Sequence, residues 1–344
     1  MSLTTRVCGV ALAVGLAGCG GGSPTSPGPS PTPVVPTYSV TATLFYDQNG
    51  NGQLDAGEAA RVPGVDVVIG AGTGKSAPGT GQAVVSGILE GTQNVGLNTG
   101  TIPTYYQPEA TPSVQVPGST EVRIPLTLPI GNNNPNVYLG YGDSITYGDG
   151  SSDGKGYVLK LQALLGPYCG RAQVESWGRP GTFSSQGADA ARVTYGWFNP
   201  AYVLIHYGTN DWEDQSCQDA PPTSCYTIDS LRSMIADSKR RDTLVVLSTI
   251  IPSNPTLNPP GRNTWFDNMN VEIKKLAQEQ QVLLCDMNAE FKAQPNLASL
   301  YADSVHPNDA GYQVMAQGWF KAITRGRSAP ASAARKRFGF FSLH

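Results

Sequence analysis

Four short segments hold the side chains that could do chemistry: Gly142-Asp143-Ser144, Trp177-Gly178-Arg179-Pro180-Gly181, Gly208-Thr209-Asn210-Asp211 and Asp303-Ser304-Val305-His306. Together they supply a hydroxyl, donors for an oxyanion, a base and an acid, the parts that acyl transfer to water requires. A serine hydroxyl is inert until a base takes its proton, and imidazole is the side chain suited to that task near neutral pH. The chain has only three histidines, at 206, 306 and 344, so an imidazole-dependent step has few candidates. His306 precedes Pro307 and lies three residues after a carboxylate. These segments point to hydrolysis of an ester.

Residues so far apart in sequence must be gathered by the fold. Residues 137–141 form an apolar strand, and 157–165 carry Val158, Leu161, Leu164 and Leu165 at helical spacing. Residues 172–175 read as a second strand, and 201–207 and 243–249 as near-continuous apolar strands of the kind buried in a parallel sheet. A further strand is expected at 281–286, with helices over 228–238, 265–278 and 308–323. This alternation predicts an α/β domain over 137–324, a three-layer sandwich with a central parallel sheet and helices on both faces. Active sites of such sheets lie beyond the carboxyl ends of the strands. The first three segments follow strand ends, and the fourth lies in the loop before the last helix.

With all four segments in order, residues 137–324 resemble an SGNH/GDSL hydrolase, a family with a flavodoxin-like fold. The resemblance implies that Ser144 is the nucleophile, His306 its base, and Asp303 the carboxylate that orients the imidazole and stabilises its charged form. It implies oxyanion donors from the backbone N–H groups of Ser144 and Gly178 and from the Asn210 amide. Many members carry Asn two residues before the glycine of the second segment; this chain has Ser176, which implies a different bracing of that loop. Asp143 and Asp211 are expected to buttress their turns rather than take part in the reaction. His206, inside an apolar run, is expected to be a satisfied core or rim imidazole. Trp177, Trp212, Tyr147 and Tyr207 could line a pocket or simply pack.

Residues 38–129 read differently, as a small all-β sandwich domain. Strands are expected at 38–46, 65–69, 83–85, 95–97 and 121–128, punctuated by Gly, Pro and Asn. Within it, Asp47, Asn49 and Asn51 fall at positions one, three and five of a calcium-type loop. Gly52 takes the tight turn, Gln53 a backbone carbonyl position, Asp55 position nine and Glu58 position twelve. The flanks are β rather than helical, and the loop together with Gly64-Val65-Asp66-Val67 resembles the opening of a bacterial surface B-type (SdrD B-like) repeat, in which some copies bind calcium structurally. A metal-free Asx-rich turn is the alternative. Catalysis needs no cofactor, and calcium would only stiffen this domain, which serves as a spacer or binds polysaccharide or protein. Residues 130–136 form the linker.

Near the start of the chain, Arg6 precedes a short apolar stretch, residues 7–17, that is too brief to span a bilayer and reads as an export signal. It ends in Leu16-Ala17-Gly18-Cys19, which resembles a bacterial lipobox; Cys19 would carry lipid and anchor the protein at the outer membrane or cell surface, with plain secretion as the alternative. Residues 19–37, rich in Pro, Gly and Ser, form a tether, and 325–344 a flexible tail. Net charge of −3 and 14% charged residues give no basis for nucleic-acid binding. A monomer is expected. Of the six cysteines, Cys217 and Cys225 flank a Pro-Pro turn and are expected to pair, leaving Cys169 with Cys285. The crosslinked loop 212–226 directly follows Asn210 and is the natural specificity rim. The expected substrate is an acetyl or short acyl ester on carbohydrate. A lipase, arylesterase or thioesterase of the same family is the alternative, and a non-catalytic adhesion lipoprotein is the rival of another class.

Overall fold

The computed structural model describes residues 34–109, 112–218 and 221–325; the signal, Cys19, most of the tether and residues 326–344 lie outside the described residues. Strands β1 (Thr37–Tyr46), β2 (Asp66–Ile69), β3 (Gly72–Lys75), β4 (Gln82–Leu89), β5 (Gly91–Leu97), β6 (Gln107–Pro108), β7 (Ser113–Val116) and β8 (Glu121–Thr127) come first. They form two four-stranded sheets, ordered β4-β1-β8-β6 and β3-β2-β5-β7. Alternating residues such as Val40, Ala42 and Leu44 of β1 face one hydrophobic cluster, to which the second sheet adds Val67, Ile69, Val95 and Val114. Strands β3, β6 and β7 carry no strong apolar signal. β3 is Gly-Thr-Gly-Lys, and a Cβ at Gly72 or Gly74 would strike the backbone of β4, so these glycines permit close approach rather than a break.

The chain continues through β9 (Asn134–Gly142), α1 (Ser144–Tyr147), α2 (Val158–Cys169), β10 (Gln173–Gly178), α3 (Ser184–Phe198), β11 (Pro200–His206), α4 (Gln215–Gln218) and α5 (Thr227–Arg240). β12 (Leu244–Ser248), α6 (Pro260–Glu279), β13 (Leu283–Cys285), α7 (Met287–Lys292) and α8 (Asp309–Arg325) complete it. β9 starts inside the stretch read as linker. The five strands make one parallel sheet in the order β10-β9-β11-β12-β13. Strand residues alternate between two cores. Tyr138, Tyr202, Leu204 and Val246 pack with α2, α7 and α8 on one face. Leu139, Val203, Ile205 and Val245 pack with α3, α5 and α6 on the other. The order reverses at β9, where the chain first moves out to β10 and then returns to β11; a crevice opens at such a switch point, beyond the strand ends.

Helix α3 has no apolar signature in the sequence. Its buried positions are Ser184, Gly187, Ala191, Thr194 and Tyr195, helically spaced but mostly small, so a hydropathy count misses them. Gly187 has to be small because a Cβ there would meet the Tyr207 ring and Met234.

The disulfide Cys217–Cys225 is formed. The remaining pair is corrected: Cys169 and Cys285 are both free thiols. Cys169 ends the helix that leads into β10, whereas Cys285 ends β13 at the other edge of the sheet. Four strand spacings separate those edges, about 19 Å, where a disulfide tolerates Cα separations of only about 7 Å.

The described residues from Pro36 onward form one compact unit. Tyr105, with φ 74°, donates its hydroxyl to Val245 O at 3.0 Å and accepts from Leu283 N at 3.2 Å. Arg61 N donates to Cys169 O at 2.9 Å, and Gly79 N to Tyr168 O at 2.8 Å. The eight-stranded region is therefore joined to the sheet through the Tyr105 side chain and to the end of α2 through backbone bonds. None of these contacts involves the four segments beyond the strand ends. No described helix is long and apolar enough to cross a membrane.

Candidate active site

Ser144 stands immediately beyond β9 as the first residue of α1. Asp143 caps that turn: its Oδ1 accepts from Ile145 N at 3.0 Å, and Gly148, at φ 111°, closes the helix. The N–H of Ser144 lies in the first turn, where no earlier helical carbonyl can accept it. Asp143 is fully buried, and its Oδ2 has no hydrogen-bond partner among the described residues. Burial, opposed by the Ile145 N–H and reinforced by Asp211, pushes its carboxyl up to about 7.

The hydroxyl of Ser144 lies 2.9 Å from His306 Nε2, and His306 Nδ1 lies 2.7 Å from Asp303 Oδ2. An ionised carboxylate can only accept, so Nδ1 carries the proton and Nε2 presents its lone pair to the serine. Asp303 Oδ1 accepts the N–H groups of Val305 and His306, each at 2.8 Å, which folds the Asp-to-His segment into one tight turn. Partial burial raises the Asp303 carboxyl, but the His306 N–H, its ring and the Val305 N–H outweigh that and hold it below the usual carboxylate range. The turn is fixed from outside by Asn254 N to Ser304 O at 2.9 Å, Asn254 Nδ2 to Asp303 O at 3.2 Å and Asn258 Nδ2 to Ser304 O at 2.5 Å. An imidazole so placed can take the serine proton as the hydroxyl attacks a carbonyl carbon.

Gly178 ends β10 and pairs with Gly142 of β9, which in turn pairs with His206 of β11. The residues that follow three adjacent strands therefore lie side by side: Gly178, Ser144 and Asn210. A Cβ at Gly178 would collide with the backbone of Thr146 and Tyr147, so only glycine lets the loop lie against the nucleophile turn. Ser176 does the bracing here: its hydroxyl donates to Thr146 O at 2.9 Å and accepts from Gly178 N at 3.3 Å. Asn210 donates one amide hydrogen to Thr182 O at 2.9 Å, which leaves the second amide hydrogen for another acceptor. Asp211, buried, accepts from Ser184 N, Ser184 Oγ and Thr227 Oγ1 at 2.8, 2.6 and 2.5 Å, and so buttresses its loop as expected.

His206 is buried, as expected, but it is not satisfied: neither ring nitrogen has a partner among the described residues. Burial lowers its pKa to about 4, so it is a neutral imidazole under the site. It lies on the face of β11 opposite Tyr207, whose ring stacks edge-on with Tyr141. The crosslinked loop carries Trp212, packed 6.0 Å from Trp265, whose Nε1 donates to Cys217 O at 2.8 Å. Glu213 is paired with the buried Arg262 at 3.0 Å.

In the 47–58 loop, Asp47 accepts the N–H groups of Gly50, Asn51 and Gly52 at 2.7, 3.3 and 2.6 Å, and Glu58 accepts those of Gln48 and Asp55 at 2.7 and 3.0 Å. The amide nitrogens of Asn49 and Asn51 both donate to Asp55 Oδ2 at 2.8 Å, and the oxygen of Asn51 accepts Gln53 N at 2.7 Å. Among the described residues no group of three or more His, Cys, Asp or Glu side chains converges as a metal site.

Residues 141–314, just over half of the chain, match the GDSL-like Lipase/Acylhydrolase family. A multidomain esterase of Ruminococcus flavefaciens is 26% identical over 193 residues, which cover 53% of this chain and 22% of that protein; the chain spans about a fifth of that relative's length. Among solved structures, a lipase/acylhydrolase from Enterococcus faecalis matches at 19% identity and a TM-score of 0.45, over 57% of this chain and 100% of its own. A catalytic mutant of an acetylxylan esterase from Geobacillus stearothermophilus matches at 22% identity and 0.46, over 56% and 95%.

Proposed function

The chain belongs to the GDSL-like lipase/acylhydrolase family, and from that premise we propose that it is an extracytoplasmic serine esterase that removes acetyl or short acyl groups from carbohydrate. The observation that carries this reading is the unbroken line from Asp303 through His306 to Ser144, with contacts of 2.7 and 2.9 Å. In the proposed reaction, Ser144 Oγ attacks the ester carbonyl as Nε2 takes its proton. The oxyanion is held by the Ser144 and Gly178 N–H groups and the free hydrogen of the Asn210 amide. His306 then returns the proton to the departing alcohol, and water repeats the sequence on the acyl-enzyme. Asp303, kept ionised, holds the ring and stabilises its cationic form. The carbohydrate reading is supported by the N-terminal stretch that reads as an export signal and by the aromatic residues Tyr147, Trp177 and Trp212 near the four segments.

Release of acetate or p-nitrophenol from short acyl esters by the wild type and by Ser144→Ala tests the reaction. The wild type should turn over, and the variant should fall by about 10⁴-fold or more. A wild type no faster than blank would end the esterase reading.

Two further proposals concern the N-terminal half. Residues 38–129 are read as a B-type repeat-like sandwich, and Asp47, Asn49, Asn51, Gln53, Asp55 and Glu58 as the residues that would hold a structural calcium. Support comes from the donor set, oxygen at every ligand position with Gly52 at φ 75° in the turn. The lipid anchor at Cys19 rests on the lipobox-like Leu16-Ala17-Gly18-Cys19 alone.

A further inference from the structure

A cleft of about 330 Å³ opens beside the nucleophile turn, and it shares two residues with the site: Tyr147, three positions beyond Ser144, and Gly178. Its remaining walls include Lys155, Val158, Trp177 and Arg179. The volume falls in the range of small-ligand pockets, about 300–1,000 Å³. Tyr147 is 52% exposed although it sits in the turn that carries Ser144, so an aromatic surface faces solvent beside the candidate nucleophile. Aromatic rings offer flat apolar area at little entropic cost, and the C–H face of a sugar ring matches such a surface.

The second feature is charge. Arg179 lies over the Trp177 ring with its Cζ 3.9 Å from the centroid, a stack that fixes the guanidinium plane and leaves its donor fork free. Among the described residues neither Arg179 nor Lys155 has a carboxylate within ion-pair distance. Lys160, in the same helix as Val158, does: it faces Asp153 and Asp309 at 3.8 and 3.7 Å. The nearest acid along β10, Glu175, is hydrogen-bonded by Gln173 at 2.6 Å. Lys155 and Arg179 thus bring two cations without a carboxylate partner to the walls of one cleft. The loop that bears Lys155 is also held in place. Its N–H donates to Asp153 Oδ1 at 2.8 Å, Gly156 N donates to Ser151 Oγ at 3.0 Å, and a Cβ at Gly148 would lie 2.6 Å from Gly156 N.

We propose that this cleft is a subsite for a carboxylated sugar of the polymer that bears the ester, with the ring against Tyr147 and the carboxylate between Arg179 and Lys155. The proposal rests on the esterase reading only for the source of the ligand. A planar guanidinium takes a carboxylate through two parallel N–H donors, which distinguishes a uronic acid from a neutral sugar of the same shape.

The test is binding to the full chain with Ser144→Ala, so that no turnover intervenes. Unesterified oligogalacturonide is compared with neutral xylo-oligosaccharide of equal length. The acidic ligand should bind about tenfold more tightly or better, and the preference should shrink in about 0.5 M salt. Adding Lys155→Ala and Arg179→Gln should remove the preference in a protein whose melting midpoint shows that it is folded. Equal binding of acidic and neutral ligands, or a preference that survives both substitutions, would overturn the subsite. Hydrolysis of p-nitrophenyl acetate by the wild type separates the two readings. Turnover without acidic preference removes the subsite alone, and preference without turnover removes the esterase reading alone.

Discussion

The Asp303–His306 turn and the 47–58 loop are built from the same device, yet they end differently. In both, a carboxylate at the head of a turn gathers the N–H groups that follow it. Asp303 accepts two with Oδ1, and Asp47 accepts three. Asp303 keeps its other oxygen for the imidazole, which passes the interaction on to the Ser144 hydroxyl. The carboxylates of the 47–58 loop turn instead toward their own backbone and their own asparagines. What separates a reactive site from a stiff turn is therefore the capacity left over once the local backbone is satisfied. A calcium ion in the loop would have to share oxygens already accepting hydrogen bonds, whereas at Ser144 the second Asn210 amide hydrogen is left over and the Gly178 N–H is held only by a long 3.3 Å bond to Ser176.

The sharpest way to break that comparison is to cut the outward line. His306→Ala should lower kcat/KM on short acyl esters by about 10⁴-fold or more while the melting midpoint stays near that of the wild type, since the ring makes no other hydrogen bond. A loss below about tenfold would mean that another group serves as base. Next in size is Asn210→Ala. One amide hydrogen ties Thr182 and, in the proposed reaction, the other meets the oxyanion, so turnover should fall roughly a hundredfold or more, about 3 kcal/mol of transition-state stabilisation, mostly in kcat. A change confined to KM would move Asn210 from the oxyanion to ground-state binding.

The ease of reading these regions from sequence follows the same division. The candidate triad is legible because chemistry demands particular atoms in a particular order, and the structure brings Ser144, His306 and Asp303 into one chain of contacts. The long apolar strands β11 and β12 were equally plain, since a parallel strand buried on both faces reads as a continuous run. Elements whose packing depends on small residues were not. α3 hides its buried face in Ser, Gly, Ala and Thr, and β3 is half glycine. Cys169 and Cys285 show another limit, because pairing by elimination ignores that a cysteine can simply be a small buried side chain. The docking of Tyr105 onto β12 and β13 is a long-range contact with no local signature at all.

On the loop side, calcium gives the direct test. If the metal binds, an ion concentration about ten times its dissociation constant should add roughly 1.4 kcal/mol to stability and raise the melting midpoint by a few degrees, and chelator should reverse it. Asp55→Asn should abolish the shift without altering ester hydrolysis. No movement of the midpoint with calcium would leave the loop a self-satisfied turn. A comparable structural effect is expected from Tyr105→Phe, which strips the bridging hydroxyl from Val245 O and Leu283 N and should cost about 1–3 kcal/mol. An unchanged urea midpoint would show that water replaces the hydroxyl there.

The smallest net effect lies beneath the active site, where two buried ionisable groups oppose each other. Asp143 titrates near 7 in the folded chain because burial resists its charge, so the folded state holds a proton that the unfolded chain has lost, and stability falls as pH rises from about 4 to about 7. His206, lowered by burial to about 4, works in reverse: the unfolded chain binds the extra proton up to about 6.5, so its contribution makes stability rise with pH over most of the same interval. Together the two slopes should nearly cancel between about pH 4.5 and 6.5. Asp143→Asn removes one of them and should expose the other, so the variant's urea midpoint should climb with pH across that window more steeply than the wild type's. Parallel curves for the two proteins would mean that Asp143 is ionised in the fold, with its second oxygen satisfied after all.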